Sequence, residues 1–213
     1  MVYISNPTEI GTVYTKEELE ELYAFCKRHE LYLYIDGARL AAALAAEDVT
    51  HLSFPDLPKL CDAFYIGGTK VGALFGEALV VVSDEFKDHF RFNMKQHGAI
   101  LAKGFVLGVQ FEELFRNNLY LELGRRSIEM MKPLKEAFEK AGIPLLAEAP
   151  TNQIFPVFPN ALAEEINQKY LTTFQCRPDP DHTCLRFCTS WATSADAVED
   201  FVKDFEELAA KYK

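Results

Sequence analysis

The 213-residue chain is short of positive charge: 22 Lys and Arg stand against 32 Asp and Glu, for a net charge of −10. Nucleic acid and anionic membrane surfaces select basic proteins, so neither is expected as a partner. An acidic surface mainly serves solubility. Cysteine is sparse: Cys26, Cys61, Cys176, Cys184 and Cys188 are odd in number, with no C-x-x-C spacing. That argues against a disulfide framework and reads as reduced thiols in a cytoplasmic protein. No apolar run approaches the length of about 18 residues that a membrane helix needs. The opening "MVYISNPTEIG" has no basic stretch followed by an apolar one, so no signal peptide is expected. His29, His51, His89, His97 and His182 show no metal-ligand spacing, so no metal site is expected. Phosphate-cradling G-x-G-x-x-G and G-x-x-x-x-G-K-[ST] loops are missing, as is the G-x-S-x-G elbow.

What is present is an ordinary globular composition, 49% hydrophobic and 25% charged, with 17 Phe and 9 Tyr to fill a core. The patterning alternates. "VYIS" reads as a strand, and "YTKEELEELYAFCKRHEL" as an amphipathic helix opened by a Thr15/Glu18 capping box. "LYLYIDGA" reads as a strand ending in Asp36-Gly37, "ARLAAALAAE" as a short helix, and "HLSFPDLPKLC" as a connector with a helical turn. "AFYIGG" and "GEALVVVS" read as two more strands. Such alternation predicts an α/β layer with a mostly parallel sheet. Residues 84–141 are almost continuously helical in period, with breaks near Gly98 and Asn117-Asn118. "GIPLLAEAP" and "NQIFPVFP" read as strands, followed by a helix near 160–170, the strand "TCLRFCTSW", and a closing helix capped by Thr193 or Ser194. A boundary near residue 145 is expected, dividing a large domain with long helices (1–144) from a small α+β domain (145–213). No repeat or low-complexity tract interrupts the chain.

Asp36 ends an apolar strand before a glycine, on the edge where open α/β sheets bind ligands; it could equally cap the helix that follows. Lys70 follows a buried strand on "GGTK". Two glycines allow a sharp turn and a close approach to a ligand, and a desolvated lysine becomes a nucleophile that can form a Schiff base; a plain surface lysine is the alternative. Together the two say more. They lie at the same ends of what read as neighbouring parallel strands. A lysine and a carboxylate projecting into one cleft is the arrangement pyridoxal 5'-phosphate requires, the lysine holding the aldehyde and the carboxylate keeping the pyridine nitrogen protonated. Arg39, three residues after Asp36, is expected to face the same cleft. Arg186, alone in the apolar "CLRFCTS", needs a partner if buried: a ligand carboxylate or a structural salt bridge. Asp179, Asp181, His182 and Cys184 in "DPDHTC" read as a turn before a strand.

The motifs "SNPTEIGTVYT", "YIDGARL", "YIGGTKVGALFGEALV", "MKQHGAILAKGFVLGVQFEELF", "NLY" and "TNQIF", in that order, resemble the low-specificity threonine aldolase and β-eliminating lyase family. These are pyridoxal-phosphate enzymes of the aspartate-aminotransferase-like fold. The resemblance implies Lys70 as the Schiff-base lysine and Asp36 as the partner of the pyridine nitrogen. It implies Arg39 on the cofactor's phenolic oxygen or the substrate carboxylate, Arg186 on the substrate carboxylate, and Lys95, in "MKQHG", near a cofactor phosphate. It implies cleavage of the Cα–Cβ bond of a β-hydroxy amino acid to glycine and an aldehyde, with β-elimination as the alternative reaction. Family members carry a long segment before the part matching "MVYISNPTEIG", holding the phosphate loop, a ring-stacking histidine and the first strands. A chain without it is expected to be a fragment or a truncated product, in which catalysis could be lost. An uncovered sheet edge and apolar helix faces lead to the expectation of a homo-oligomer, with a separate N-terminal chain as a further partner that the reading allows.

Overall fold

The computed structural model describes residues 1–212. They form two compact units, one of residues 1–8 and 13–124, the other of residues 9–12 and the described residues from Arg125 on.

In the first unit, β1 (Val2–Ser5), β2 (Leu33–Asp36), β3 (Ala63–Gly67) and β4 (Glu77–Val81) lie side by side in that order. The pairings β1–β2 and β2–β3 are parallel, and β3–β4 is antiparallel. The sheet is therefore mixed, with the expected parallel core and one reversed edge strand. Between β1 and β2 runs α1 (Lys16–Arg28), opened by the capping box: Thr15 accepts from the Glu18 amide, and Glu18 accepts from the Thr15 amide. Leu19 and Cys26 of α1 are buried. Short α2 (Leu40–Ala45), α3 (Glu47–Thr50) and α4 (Leu57–Leu60) connect β2 to β3. Leu33, Ile35, Phe64 and Ile66, alternating along β2 and β3, join Leu19, Leu40, Leu44 and Leu57 in one core.

After β4 the helical stretch breaks up into α5 (Phe90–Gln96), α6 (Phe105–Phe115), α7 (Leu119–Glu129) and α8 (Lys132–Lys140). The expected breaks hold: Gly98, Asn117 and Asn118 all take positive φ. The division into units falls within α7, some way before the boundary expected near residue 145. The reason is the burial of α8, whose Leu134, Ala137 and Phe138 build the second unit's core with Ile154, Phe158, Leu185, Phe201 and Phe205.

The second unit holds β5 (Gln153–Ile154), β6 (Val157–Pro159), α9 (Asn160–Lys169), β7 (Thr173–Asp179), β8 (His182–Cys188) and α10 (Ala195–Ala209). Strand β8 is the hub, antiparallel to β5, β6 and β7. Helix α10 is capped by the Ser194 hydroxyl. "GIPLLAEAP" forms no strand. It makes only an isolated bridge, Leu145 to Pro156, because prolines at 144, 150 and 156 remove the amides a ladder needs. Strand β7 has no counterpart in the sequence reading; its side chains are mostly exposed, so it carries no apolar period to read. Among the described residues no helix is long and apolar enough to cross a membrane.

Candidate active site

In the first unit the carboxyl ends of β2 and β3 meet at two glycines. The Gly67 amide donates to the Gly37 carbonyl at 2.9 Å. A Cβ on Gly37 would stand 2.0 Å from the Tyr65 carbonyl oxygen, and one on Gly67 2.3 Å from that of Ala38. Only glycine permits this approach. The sequence reading gives Gly67 and Gly68 the task of turning sharply. Neither has positive φ; the left-handed residue is Gly72, at φ 108°. Gly67 instead lets two strand ends close on each other, and the left-handed residue Gly72 follows the turn that carries Lys70.

Asp36 ends β2 and is partly buried. Its Oδ1 accepts from the Ala38 amide at 2.9 Å, and the Tyr3 hydroxyl donates to Oδ2. The Tyr65 hydroxyl is a third donor. Burial pushes this carboxyl up, but the hydrogen bonds from Tyr3, Tyr65 and Ala38, with the Lys70 charge, outweigh it, and the net shift is down. Asp36 is thus held as an anion. It caps no helix: Arg39 occupies the N-cap position of α2, and no side chain caps it. Two carboxylate oxygens offer about four acceptor positions, so one remains after three donors.

Lys70 lies on a 3-10 turn, Thr69–Val71, and is exposed rather than dry. Glu77, at the start of β4, holds that turn: it accepts from the Gly68 amide and from the Thr69 hydroxyl, the latter at 3.0 Å. From below, Tyr120 of α7, 1% exposed, donates to the Gly67 carbonyl at 3.0 Å. Burial pushes its phenol far up, so the hydroxyl keeps its proton. Asn6, 0% exposed at the end of β1, donates its amide to the Asp36 carbonyl and accepts from the Tyr14 amide through Oδ1. Its Nδ2 has no partner among the described residues. Arg39 is half-buried, and its guanidinium makes no hydrogen bond or ion pair among the described residues. Lys95 is exposed on the last turn of α5.

In the second unit Arg186 lies on β8, half-buried. Its Nε donates to Oε1 of Gln153 at 2.9 Å. No carboxylate pairs with it among the described residues, so the structural salt bridge is not what holds it there. Asp179 Oδ1 and His182 Nδ1 lie within hydrogen-bond distance, 2.8 Å, across the β7–β8 turn.

Sequence reasoning missed Tyr3, Tyr65, Tyr120, Glu77, Asn6 and Gln153. A signal for two of them existed. The dipeptide Tyr-Ile recurs as Tyr3-Ile4, Tyr34-Ile35 and Tyr65-Ile66 in three adjacent strands. The rings of Tyr3 and Tyr34 stack at 5.5 Å, and those of Tyr34 and Tyr65 lie 6.5 Å apart.

The strand ends therefore present an anionic carboxylate with a free acceptor position, an exposed amine and an unpaired guanidinium. Such a set can hold a cationic ring nitrogen, a carbonyl carbon and an anionic oxygen.

Residues 1–161 match the family model described as beta-eliminating lyase. The low specificity L-threonine aldolase of Pseudomonas aeruginosa is 26% identical over 210 residues, covering 96% of this chain and 58% of that protein. That of Saccharomyces cerevisiae is 31% identical over 146 residues, covering 68% of this chain and 36% of that protein. The solved structure of Leishmania major threonine aldolase superposes with a TM-score of 0.94 at 45% identity, covering 98% of this chain and 60% of that one. An aromatic aminotransferase from Pyrococcus horikoshii, at 16% identity and a TM-score of 0.68, shares the fold. The chain spans about 60% of the length of the first of these relatives and of the Leishmania structure. With three quarters of its length matched by the family model and its strand ends arranged as described, the chain belongs to the beta-eliminating lyase family.

Proposed function

We propose that the protein is a pyridoxal-phosphate-dependent lyase of the threonine aldolase type, cleaving Cα–Cβ of a β-hydroxy amino acid to glycine and an aldehyde. One observation carries the reading: Asp36 is held anionic at the end of β2, beside the turn that carries Lys70 after β3. The residues fit the cofactor. An ionised carboxylate with one open acceptor position can hold a protonated pyridine nitrogen. Lys70 is an exposed amine for the aldehyde carbon. The Arg39 guanidinium, with no acceptor among the described residues, is suited to the ring's phenolic oxygen or a carboxylate. Lys95 offers a positive charge for a phosphate.

When bound, pyridoxal phosphate supplies an electron sink for the carbon next to the substrate amine. The chain's own residues bind and orient. Asp36 stays deprotonated, so that a proton shared with it rests on the ring nitrogen. Arg186 takes the substrate carboxylate by a bidentate contact, which fixes the bond to be broken. Lys70 holds or releases a proton at its Nζ. β-Elimination needs the same residues and differs in the bond that breaks. The test is aldehyde release from threonine with pyridoxal phosphate added. Release that is lost in Lys70→Ala supports the lyase. Release of pyruvate from serine, without aldehyde from threonine, points to β-elimination. No product from either substrate, with cofactor bound, overturns the lyase reading.

A further inference from the structure

Gln153 is 1% exposed, opens β5, and pairs in register with Cys188 of β8. Residues two apart on a strand share a face, so Cys188 and Arg186 stand on the face of β8 that Gln153 meets, and Arg186 is its diagonal neighbour. The bond between them fixes the amide's orientation. An arginine Nε–H can only donate, so the atom 2.9 Å from it must be the amide oxygen. The amide nitrogen then points elsewhere; it is buried and has no partner among the described residues. An apolar side chain of similar size would leave no buried donor unsatisfied. The amide at this position is therefore explained by what its oxygen does.

What the oxygen does is select one edge of the guanidinium. Arginine can offer a carboxylate either its Nε/Nη edge or its Nη1/Nη2 edge. With Nε occupied, only the Nη1/Nη2 edge is left, and neither Nη makes a bond among the described residues. We propose that Gln153 is a positioning residue that ties Arg186 through Nε and leaves the end-on Nη1/Nη2 edge to bind the α-carboxylate of the amino-acid substrate. The neighbouring Asn152 steadies the arrangement, donating through Nδ2 to the Thr189 carbonyl at 2.6 Å and so locking β5 to the end of β8. The inference rests on the reading of Arg186 as the carboxylate ligand.

The test measures the Arg186 Nε–H by NMR, its signal assigned by its loss in Arg186→Lys, together with binding of glycine and of glycinamide, which lacks the carboxylate. In the unaltered chain the Nε proton is expected to exchange slowly, and glycine to bind more tightly than glycinamide. Gln153→Leu is expected to speed exchange and weaken glycine binding by about tenfold or more, as loss of a hydrogen bond to a charged group implies, with glycinamide unchanged. Gln153→Glu is expected to keep the Nε proton protected yet lose glycine, because its carboxylate neutralises the guanidinium; it also serves if the leucine variant fails to fold. Unchanged exchange in Gln153→Leu, or glycine binding kept in both variants, overturns the proposal. Glycine binding unaffected in Arg186→Lys instead overturns the reading of Arg186, and leaves the Gln153–Arg186 tie to be judged by exchange alone.

Discussion

Replacing Gly37 or Gly67 by alanine should damage the protein far beyond what one methyl group suggests. The added Cβ would lie 2.0 Å from the Tyr65 carbonyl oxygen at position 37, and 2.3 Å from the Ala38 carbonyl oxygen at position 67. Real Cβ contacts do not go below 3.0 Å, so backbone must retreat by at least 3.0 − 2.0 = 1.0 Å or 3.0 − 2.3 = 0.7 Å. Neither contact is with a flexible side chain. A retreat of that size breaks the Gly67–Gly37 hydrogen bond and separates the ends of β2 and β3. Overpacking costs about 1–3 kcal/mol and a lost hydrogen bond roughly another 1 kcal/mol, so each variant should lose about 2–4 kcal/mol. In a chain of this length that lowers the melting temperature by roughly 5–15 °C. The control is Gly108→Ala in α6, where nothing lies within 4 Å of the added Cβ; it should be stabilised by about 0.5–1 kcal/mol. Thermal and urea melts followed by circular dichroism measure all three. If Gly37→Ala and Gly67→Ala stay within about 0.5 kcal/mol of the parent, the close approach of the strand ends is not what positions Asp36 and Lys70.

Asp36 and Asp56 have folded-state carboxyl pKa values below the usual carboxylate range, Asp56 at about 2 through hydrogen bonds from Ser53 and Lys16. Their contribution to stability is complete above the unfolded value of about 3.9 and is lost as pH falls through the folded values; Asp56→Asn should flatten stability against pH below about 4 in urea melts. Cys188 is exposed, whereas burial, helped for Cys61 by the Asp62 charge, pushes the Cys61 and Cys184 thiols up to about 12. Iodoacetamide at mild alkaline pH, read by mass spectrometry, should modify Cys188 first and reach Cys61 and Cys184 only in denaturant. Thr15→Ala breaks the capping box and should cost about 0.5–2 kcal/mol, seen as a shifted urea midpoint with an unchanged slope.

The placement of Asp36 and Lys70 is legible in the sequence because both follow the ends of strands. Asp36-Gly37 and "GGTK" each follow an apolar run, and parallel topology brings such ends to one edge. The capping box at Thr15 and the break at Asn117-Asn118 were legible because local backbone chemistry decides them. What was not legible depends on contacts between distant segments. Nothing local says that Glu77 will reach back to Gly68, that Tyr120 will brace Gly67, or that Gln153 will meet Arg186. On sequence, the helix Lys132–Lys140 belongs to the first part, because its period continues that of the preceding helices. Its apolar face, with Leu134 and Phe138, joins the second core, and periodicity does not say which core a face will choose. Likewise "GIPLLAEAP" has the apolar content of a strand, but its prolines deny it a ladder.

In the proposed lyase, Lys70 would be the amine that holds pyridoxal phosphate, with Asp36 anionic beside it. Adding pyridoxal phosphate to the chain, reducing with borohydride and mapping the peptides by mass spectrometry tests it most directly. The cofactor's mass is expected on the peptide containing Lys70, and Asp36→Ala is expected to lower its yield sharply. Label spread over surface lysines, or labelling at Lys70 that is indifferent to Asp36→Ala, would contradict it.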